Sequence, residues 1–94
     1  MAQNQGSAEA TALEVLAWLA ANSEILPVFQ NSTGLSDEDI RSGVRDPVFL
    51  GMVLDFVLMD DAWVIDACDA CGLEYDAVAA ARVALPGGDA GHWT

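Results

Sequence analysis

The chain contains no lysine, and its 94 residues include only three basic side chains, Arg41, Arg45 and Arg82, against 15 acidic ones. The formal net charge is −12. Proteins that bind nucleic acid or an anionic membrane surface need basic side chains to meet the phosphates. We therefore expect no nucleic-acid partner and no membrane partner. An acidic surface instead favours a protein partner of basic charge.

Long apolar runs are absent as well. The longest, Val48 to Leu54, has seven residues, whereas a membrane-spanning helix needs about 20. The first residues carry no basic side chain, so no secretory signal is readable and we expect a cytoplasmic protein. In that compartment Cys68 and Cys71 are expected to be reduced thiols. The hydrophobic share of 53% is nevertheless too high for a disordered chain.

Apolar residues recur at helical spacing, and no stretch alternates with the period of two that indicates a strand. We predict an all-α fold, a compact single-domain bundle of five or six short helices. The expected helices cover about 8–21, a stretch from Ser23 to Gly34, a short helix after Ser36, and then about 47–59, 61–71 and 77–85. The helical domain is expected over residues 7–85, with a flexible N-terminal arm at 1–6 and a C-terminal tail at 86–94.

Helix starts are marked by side chains that accept hydrogen bonds from the first free backbone N–H groups. Asp46 followed by Pro47 is the clearest signal, and Ser36 with Asp39 three residues later predicts a capping box. The other expected caps are Ser7, Ser23, Asp60 and Asp76, while Asn22 is expected in the left-handed conformation after a helix end. About half of the 15 acidic residues are assigned to helix starts when the acids expected in first turns are added to the caps, namely Glu9, Glu24, Asp37 and Asp61.

The stretch 47–59 is apolar nearly all round, which predicts a helix at the centre of the core. Gly51 within it is expected to permit the close approach of a neighbouring helix. Asp55 has two interpretations: it marks the one solvated line of this helix, or it is a buried acid with a shifted pKa or an arginine partner. We favour the solvated line because a buried unpaired charge is costly.

The sequence offers little for catalysis or metal binding. Cys68 and Cys71 form a CxxC pair, but they fall at a predicted helix C-terminus among acidic residues, where a thiolate is disfavoured. We therefore expect small apolar thiols in the core. His92 is the single histidine and lies far along the chain from the cysteines, so a four-ligand zinc site is not expected. We predict no catalytic residue, no metal site and no cofactor, and hence no enzyme.

An ordered pattern runs from residue 11 to residue 88. It consists of Leu26-Pro27-Val28-Phe29, Gly34-Leu35, Asp39-Ile40-Arg41, Asp46-Pro47-Val48-Phe49-Leu50, Val53-Leu54-Asp55-Phe56 and Ala84-Leu85-Pro86-Gly87-Gly88. This pattern resembles a family of short bacterial proteins known only as a domain of unknown function. The resemblance implies a small, soluble, helical protein, and it provides no site residue to carry over. Neither cysteine belongs to the pattern.

These observations favour a non-catalytic protein-interaction module. The candidate partner-contact residues are Val15, Trp18, Trp63 and Trp93, because tryptophan is frequent at binding hot spots. One alternative is a homo-oligomeric structural module whose copies pair through Val15 and Trp18. Another is a small-molecule-binding helical domain that uses an aromatic and methionine-rich core.

Overall fold

The fold comes from a computed structural model, which describes residues 5–86. Those residues form helices and no strand, so the predicted all-α, single-domain fold is confirmed. The six helices are α1 (Gln5–Ala21), α2 (Ile25–Thr33), α3 (Asp37–Gly43), α4 (Pro47–Leu58), α5 (Asp61–Cys71) and α6 (Ala77–Ala84).

Helix α4 contacts α1, α5 and α6, and helix α1 contacts α2, α4, α5 and α6. The apolar sequence of α4 explains its large share of the core, because a helix with apolar residues on most sides is covered by other helices over much of its surface. The residues that α4 buries are Phe49, Leu50, Gly51, Val53, Leu54, Phe56 and Val57. Helix α1 packs its own buried stripe into the same core, with Ala8, Ala12, Val15, Leu16 and Leu19.

Three predicted helix caps are confirmed. The Ser36 hydroxyl accepts from the Asp39 N–H at 3.1 Å while an Asp39 carboxylate oxygen accepts from the Ser36 N–H at 3.0 Å, which completes the capping box. Asp46 Oδ1 accepts from the Val48 N–H at 3.0 Å at the start of α4. Asp60 does the same for the Ala62 N–H at 2.9 Å at the start of α5. These caps fix where α3, α4 and α5 begin.

The connection between α1 and α2 differs from the prediction. Asn22 Oδ1 accepts hydrogen bonds from the N–H groups of Glu24, at 3.0 Å, and Ile25, at 3.1 Å, and the Asn22 carbonyl accepts from Leu26. Asn22 therefore caps α2 in place of Ser23, since it takes the N–H groups that a Ser23 cap would need. The expected left-handed conformation of Asn22 is also wrong, because no residue of 5–86 other than glycine has a positive φ.

Two other expected caps are wrong. Helix α1 already begins at Gln5, so Ser7 lies inside its first turn, and residues 5 and 6 are helical although they were predicted in the arm. Asp76 precedes α6 but its side chain makes no capping hydrogen bond. Its backbone angles, φ −91° and ψ −3°, are helical, whereas a capping residue is usually extended. Residues 1–4 of the predicted arm and 87–94 of the predicted tail lie outside the described residues.

Gly51 does allow a close approach, but by a side chain and not by a helix backbone. A β-carbon at this position would lie 2.7 Å from Arg82 Nη1 and 3.4 Å from the Pro86 carbonyl oxygen. The expected backbone approach is therefore made by the Pro86 carbonyl, which follows α6, and the closest contact is a side chain of α6. The missing side chain makes room for the Arg82 guanidinium of α6 to cross α4.

Candidate functional site

Arg82 and Asp55 form a two-point ion pair on the surface between α6 and α4. Arg82 Nε donates to Asp55 Oδ1 at 2.6 Å, and Nη2 donates to Oδ2 at 2.9 Å. The remaining nitrogen, Nη1, donates to the Pro86 carbonyl at 3.1 Å. Asp55 is 55% exposed and Arg82 is 15% exposed. Both interpretations of Asp55 are therefore partly correct, because it lies on a solvated line and it also pairs with an arginine.

This is the one ion pair within residues 5–86. Arg41 and Arg45, the other two basic residues, are exposed and lie more than 4 Å from any carboxylate in that range. No acidic side chain in the same part of the chain is buried. Apart from Asp55, the acidic side chains of residues 5–86 thus have no basic partner within that part of the chain.

Asp55 belongs to a line of exposed residues along α4, which we call the α4 stripe and define as Val48, Met52, Asp55 and Met59. Spacings of four, three and four residues place them on one side of the helix. Val48 is 63% exposed, Met52 38% and Met59 74%. The ion pair of Asp55 and Arg82 thus lies between the apolar residues Met52 and Met59 of the stripe.

Charged residues flank α4 in the sequence, with Arg45 and Asp46 before it and Asp60 and Asp61 after it. Asp46 precedes the first turn of α4, and Asp60 and Asp61 follow Met59 directly. Arg45 and Asp46 carry opposite charges before α4, whereas Asp60 and Asp61 after it are both acidic.

A shallow groove separates α1 from α5. It has a volume of about 360 Å³ and is lined by Glu14, Ala17, Trp18, Ala70 and Cys71. The Cys71 thiol donates to the Glu14 carbonyl oxygen, with an Sγ to O distance of 3.4 Å, and so ties the end of α5 to α1. The groove therefore has an indole side chain and a thiol among its lining residues.

The environment of both cysteines favours the protonated thiol. Cys68 is fully buried and donates to the Glu74 carbonyl at 3.3 Å. Burial raises the pKa of the Cys68 thiol, and negative charge on Cys71, Asp69 and Asp76 raises it further. Burial also raises the pKa of Cys71, with a second contribution from Glu14. A reactive cysteine needs a lowered pKa, so these directions agree with the prediction of unreactive thiols. The predicted place in the core is confirmed for Cys68 and wrong for Cys71, which is half-buried and lines the groove.

The predicted partner-contact residues have different surroundings. Val15 is fully buried in the core, so its predicted exposure is wrong. It lies three residues after Ala12 and four before Leu19, on the inward stripe of α1. Trp18 is half-buried and lines the groove between α1 and α5. Trp93 lies outside the described residues.

Trp63 is a member of an aromatic cluster on the core. Its ring stacks on Phe56 with centroids 4.8 Å apart and an interplanar angle of 23°. Phe56 in turn meets Phe29 edge to face at 5.1 Å. Trp63 is half-buried, so one part of it packs and the rest faces solvent.

Sequence reasoning missed the α4 stripe. A helix that is apolar nearly all round gives no contrast between its inner and outer faces, so Val48, Met52 and Met59 looked like core residues. The available signal was Asp55, because residues three, four and seven positions away from a solvated residue share its side of the helix.

Two further features concern metals and membranes. Within residues 5–86, no three side chains of the His, Cys, Asp and Glu types come together in a group that could hold a metal ion. No single helix in that range is long and apolar enough to cross a membrane, and α1 with α2 reaches that length only as a pair bent by 108°. The cytoplasmic location stays a prediction.

The fold and its surface define a small all-α domain built around one apolar helix. The chain belongs to the family described as "Protein of unknown function (DUF3572)", whose model matches residues 5–88. This match confirms the resemblance inferred from the ordered pattern of residues. Comparisons with curated proteins and with solved structures gave no match.

Proposed function

We propose that the protein is a non-catalytic interaction domain that binds a protein partner of basic charge. The observation that carries this proposal is the imbalance of charge on the surface. Asp55 and Arg82 form the one ion pair of residues 5–86, and the other acidic side chains there have no basic partner. A basic surface on another protein can complement them, which speeds association and selects the partner by charge.

Acidic residues at helix starts do not weaken this proposal. Asp39 and Asp46, for example, are exposed although each accepts a backbone hydrogen bond. A cap therefore contributes to stability and to the surface potential at the same time. The acidic residues that cap helices therefore also contribute negative charge that a partner can meet.

Affinity capture from native cell extract tests the proposal. We expect the tagged protein to retain a basic protein at low salt and to retain less of it near physiological ionic strength, where screening acts over about 8 Å. A matched variant, Glu38→Gln with Asp61→Asn and Asp66→Asn, removes three exposed charges and should lose most of this capture. The control bait is an unrelated small helical protein of similar net charge. Equal capture by that bait, or no enriched protein, contradicts the proposal.

A second candidate function is binding of a small apolar molecule in the groove between α1 and α5. The groove is shallow and open, with a volume of about 360 Å³, and the aromatic side chain of Trp18 is among its lining residues. A ligand screen by thermal shift tests this, since a ligand that binds only the folded state raises the melting temperature. Ala70→Phe should fill the groove and abolish the shift, whereas Ala79→Phe on the exposed surface of α6 should not.

A further inference from the structure

We propose that a pocket between α1, α2 and α3 binds a free α-amino acid with an aliphatic side chain. The pocket has a volume of about 270 Å³ and is lined by Ala20, Leu26, Asp37, Ile40 and Arg41. It shares no lining residue with the groove between α1 and α5. Such a site is a function additional to the binding of a basic protein partner.

Arg41 has no ion pair, although acidic residues precede it on its own helix. Asp37 stands four residues before it and Glu38 three, and side chains at these spacings are neighbours on a helix surface. An acidic residue four positions before a basic one is the favourable order for a pair. Within residues 5–86, however, no carboxylate oxygen lies within 4 Å of the Arg41 guanidinium. The guanidinium therefore keeps its N–H donors for a ligand.

A hydrogen bond to α2 accounts for the separation of Asp37 from Arg41. Gln30 Nε2 donates to Asp37 Oδ1 at 2.7 Å, which ties this carboxylate to α2. The other oxygen, Oδ2, can still accept a hydrogen bond from a ligand. The pocket thus contains a carboxylate and a guanidinium that are not paired with each other.

These two opposite charges fit a zwitterion. In a free α-amino acid a single carbon atom carries both the ammonium and the carboxylate, so the two groups can reach side chains one helical turn apart. The ligand carboxylate would accept from two N–H groups of Arg41, and the ligand ammonium would donate to Asp37 Oδ2. A simple anion would be attracted by Arg41 but repelled by Asp37, and a simple cation the reverse. A ligand that carries both charges meets no repulsion.

The end of α1 also favours the ammonium group. Helix α1 ends at Ala21, directly after the pocket residue Ala20, and its last turn has no basic residue. The carbonyl end of a helix carries a partial negative charge, which attracts a cation. An ammonium group near Ala20 would therefore be attracted both by the helix end and by Asp37.

The apolar residues of the pocket determine the side chain and the size of the ligand. Ile40 is buried and Leu26 is half-buried against the core, whereas Ala20, Asp37 and Arg41 are exposed. The pocket therefore has an apolar floor and a charged rim. Its volume of about 270 Å³ lies just below the range of about 300–1,000 Å³ that is usual for pockets of drug-sized ligands. A small aliphatic side chain fits this space.

Four small probes test the inference in NMR titrations. L-Leucine has both charges and a branched aliphatic side chain, isocaproate lacks its ammonium, isoamylamine lacks its carboxylate, and glycine lacks its side chain. We expect L-leucine to bind and each of the others to bind about tenfold more weakly, since each loses a charged hydrogen bond or the apolar contact. The methyl resonances of Leu26 and Ile40 should shift on addition of L-leucine. Those of Leu13, which is exposed on α1 outside the pocket, should not.

Variants with matched controls test the two charges. Arg41→Gln should weaken the binding of L-leucine about tenfold, whereas Arg45→Gln, which removes the same charge outside the pocket, should not. Asp37→Asn keeps an oxygen that can accept from Gln30, yet it should weaken the binding of L-leucine to a similar extent. Its control is Glu38→Gln, on the next residue. The four altered side chains are exposed, so the thermal melts of these variants should remain close to that of the wild type.

A change of ligand preference separates a direct contact from a structural effect. Asp37→Asn removes the repulsion of an anion, so this variant should bind isocaproate more tightly than the wild type does. Arg41→Gln removes the repulsion of a cation and should bind isoamylamine more tightly. A variant that only loosened the pocket would bind every probe more weakly, and that result would overturn the assigned contacts.

The remaining outcomes also decide the proposal. Equal binding of L-leucine and isocaproate, or equal affinity of the Arg41→Gln and Arg45→Gln variants, overturns the amino-acid site. So does the absence of any shift of Leu26 and Ile40 with L-leucine. Capture of a basic protein by the wild type tests the proposed function separately, because it uses no small ligand. The amino-acid site can therefore fail while the proposed function stands, and the reverse.

Discussion

Gly43, the last residue of α3, lies directly against the ring of Phe49 in α4. A β-carbon on Gly43 would lie 2.5 Å from Cγ of that ring and 2.6 Å from Cδ2. Phe49 is buried, so its ring has no free space into which it can move. The absence of one side chain therefore sets how closely α3 approaches the core helix.

We predict that Gly43→Ala destabilises the protein by about 1–3 kcal/mol, as overpacking of a core usually does. The matched control is Gly51→Ala, where the β-carbon would meet the end of the Arg82 side chain. That end can shift, and alanine favours a helix by about 1 kcal/mol over glycine. Urea unfolding should therefore show a clear loss for Gly43→Ala and a change below about 1 kcal/mol for Gly51→Ala. Equal losses would contradict this account.

Val15→Ala should lower the free energy of unfolding by about 2 kcal/mol, because it removes two fully buried methyl groups. Leu13→Ala, two residues away and exposed, should cost less than about 1 kcal/mol. Thermal or urea unfolding of the two variants makes the comparison. A small effect at Val15 together with a loss of partner binding would restore Val15 as a contact residue.

The ion pair of Asp55 and Arg82 should add little to stability. One partner is more than half exposed, and pairs near a surface contribute about 0.2–1 kcal/mol. A double-mutant cycle with Asp55→Asn and Arg82→Gln measures the coupling free energy. We expect a value in that range which decreases at about 1 M salt, where the Debye length is about 3 Å. A coupling free energy above about 2 kcal/mol would contradict this expectation and show that the ion pair contributes substantially to stability.

The thiols should make stability depend on pH in alkaline solution. The folded state raises the pKa of Cys68 and Cys71, so it keeps their protons when the unfolded chain has lost them. Stability is therefore unaffected below the ordinary thiol pKa of about 8.5 and decreases as pH rises above it. Urea unfolding at pH 7.5 and pH 9.5 should show the loss. The Cys68→Ala, Cys71→Ala variant should show less of it, and an equal loss in that variant would contradict the cause.

Tyr75 gives a spectroscopic test of one surface hydrogen bond. Its hydroxyl donates to Asp69 Oδ1 at 2.9 Å, and this bond, together with the charge of Asp69, raises the pKa of the tyrosine. The chain has one tyrosine, so tyrosinate absorbance reports this group alone. Asp69→Asn should lower the pKa towards about 10. Asp66→Asn on the same helix should leave it unchanged, and an equal change in both variants would indicate a general effect of charge.

Local signals predicted the helix boundaries where the capping chemistry is strong. Asp46 with Pro47, Ser36 with Asp39, and Asp60 each fix a start through hydrogen bonds that span two or three residues. Asn22 and Asp76 were misassigned because the role of such a residue depends on the backbone angles at the junction. Those angles are set by how the adjoining helices pack, which the local sequence does not encode.

The sequence by itself determined the helical fold, the apolar core helix and the charge of −12. Helical periodicity and capping depend on residues a few positions apart, and the net charge depends only on composition. Only the tertiary structure decided which side of α4 stays exposed, that Val15 is buried, and that Asp55 meets Arg82 across 27 positions of sequence. The physical reason is that burial and ion pairing are set by the helices that surround a residue. A helix with apolar residues on most sides can be covered in several ways, and its packing against α1, α5 and α6 selects one of them.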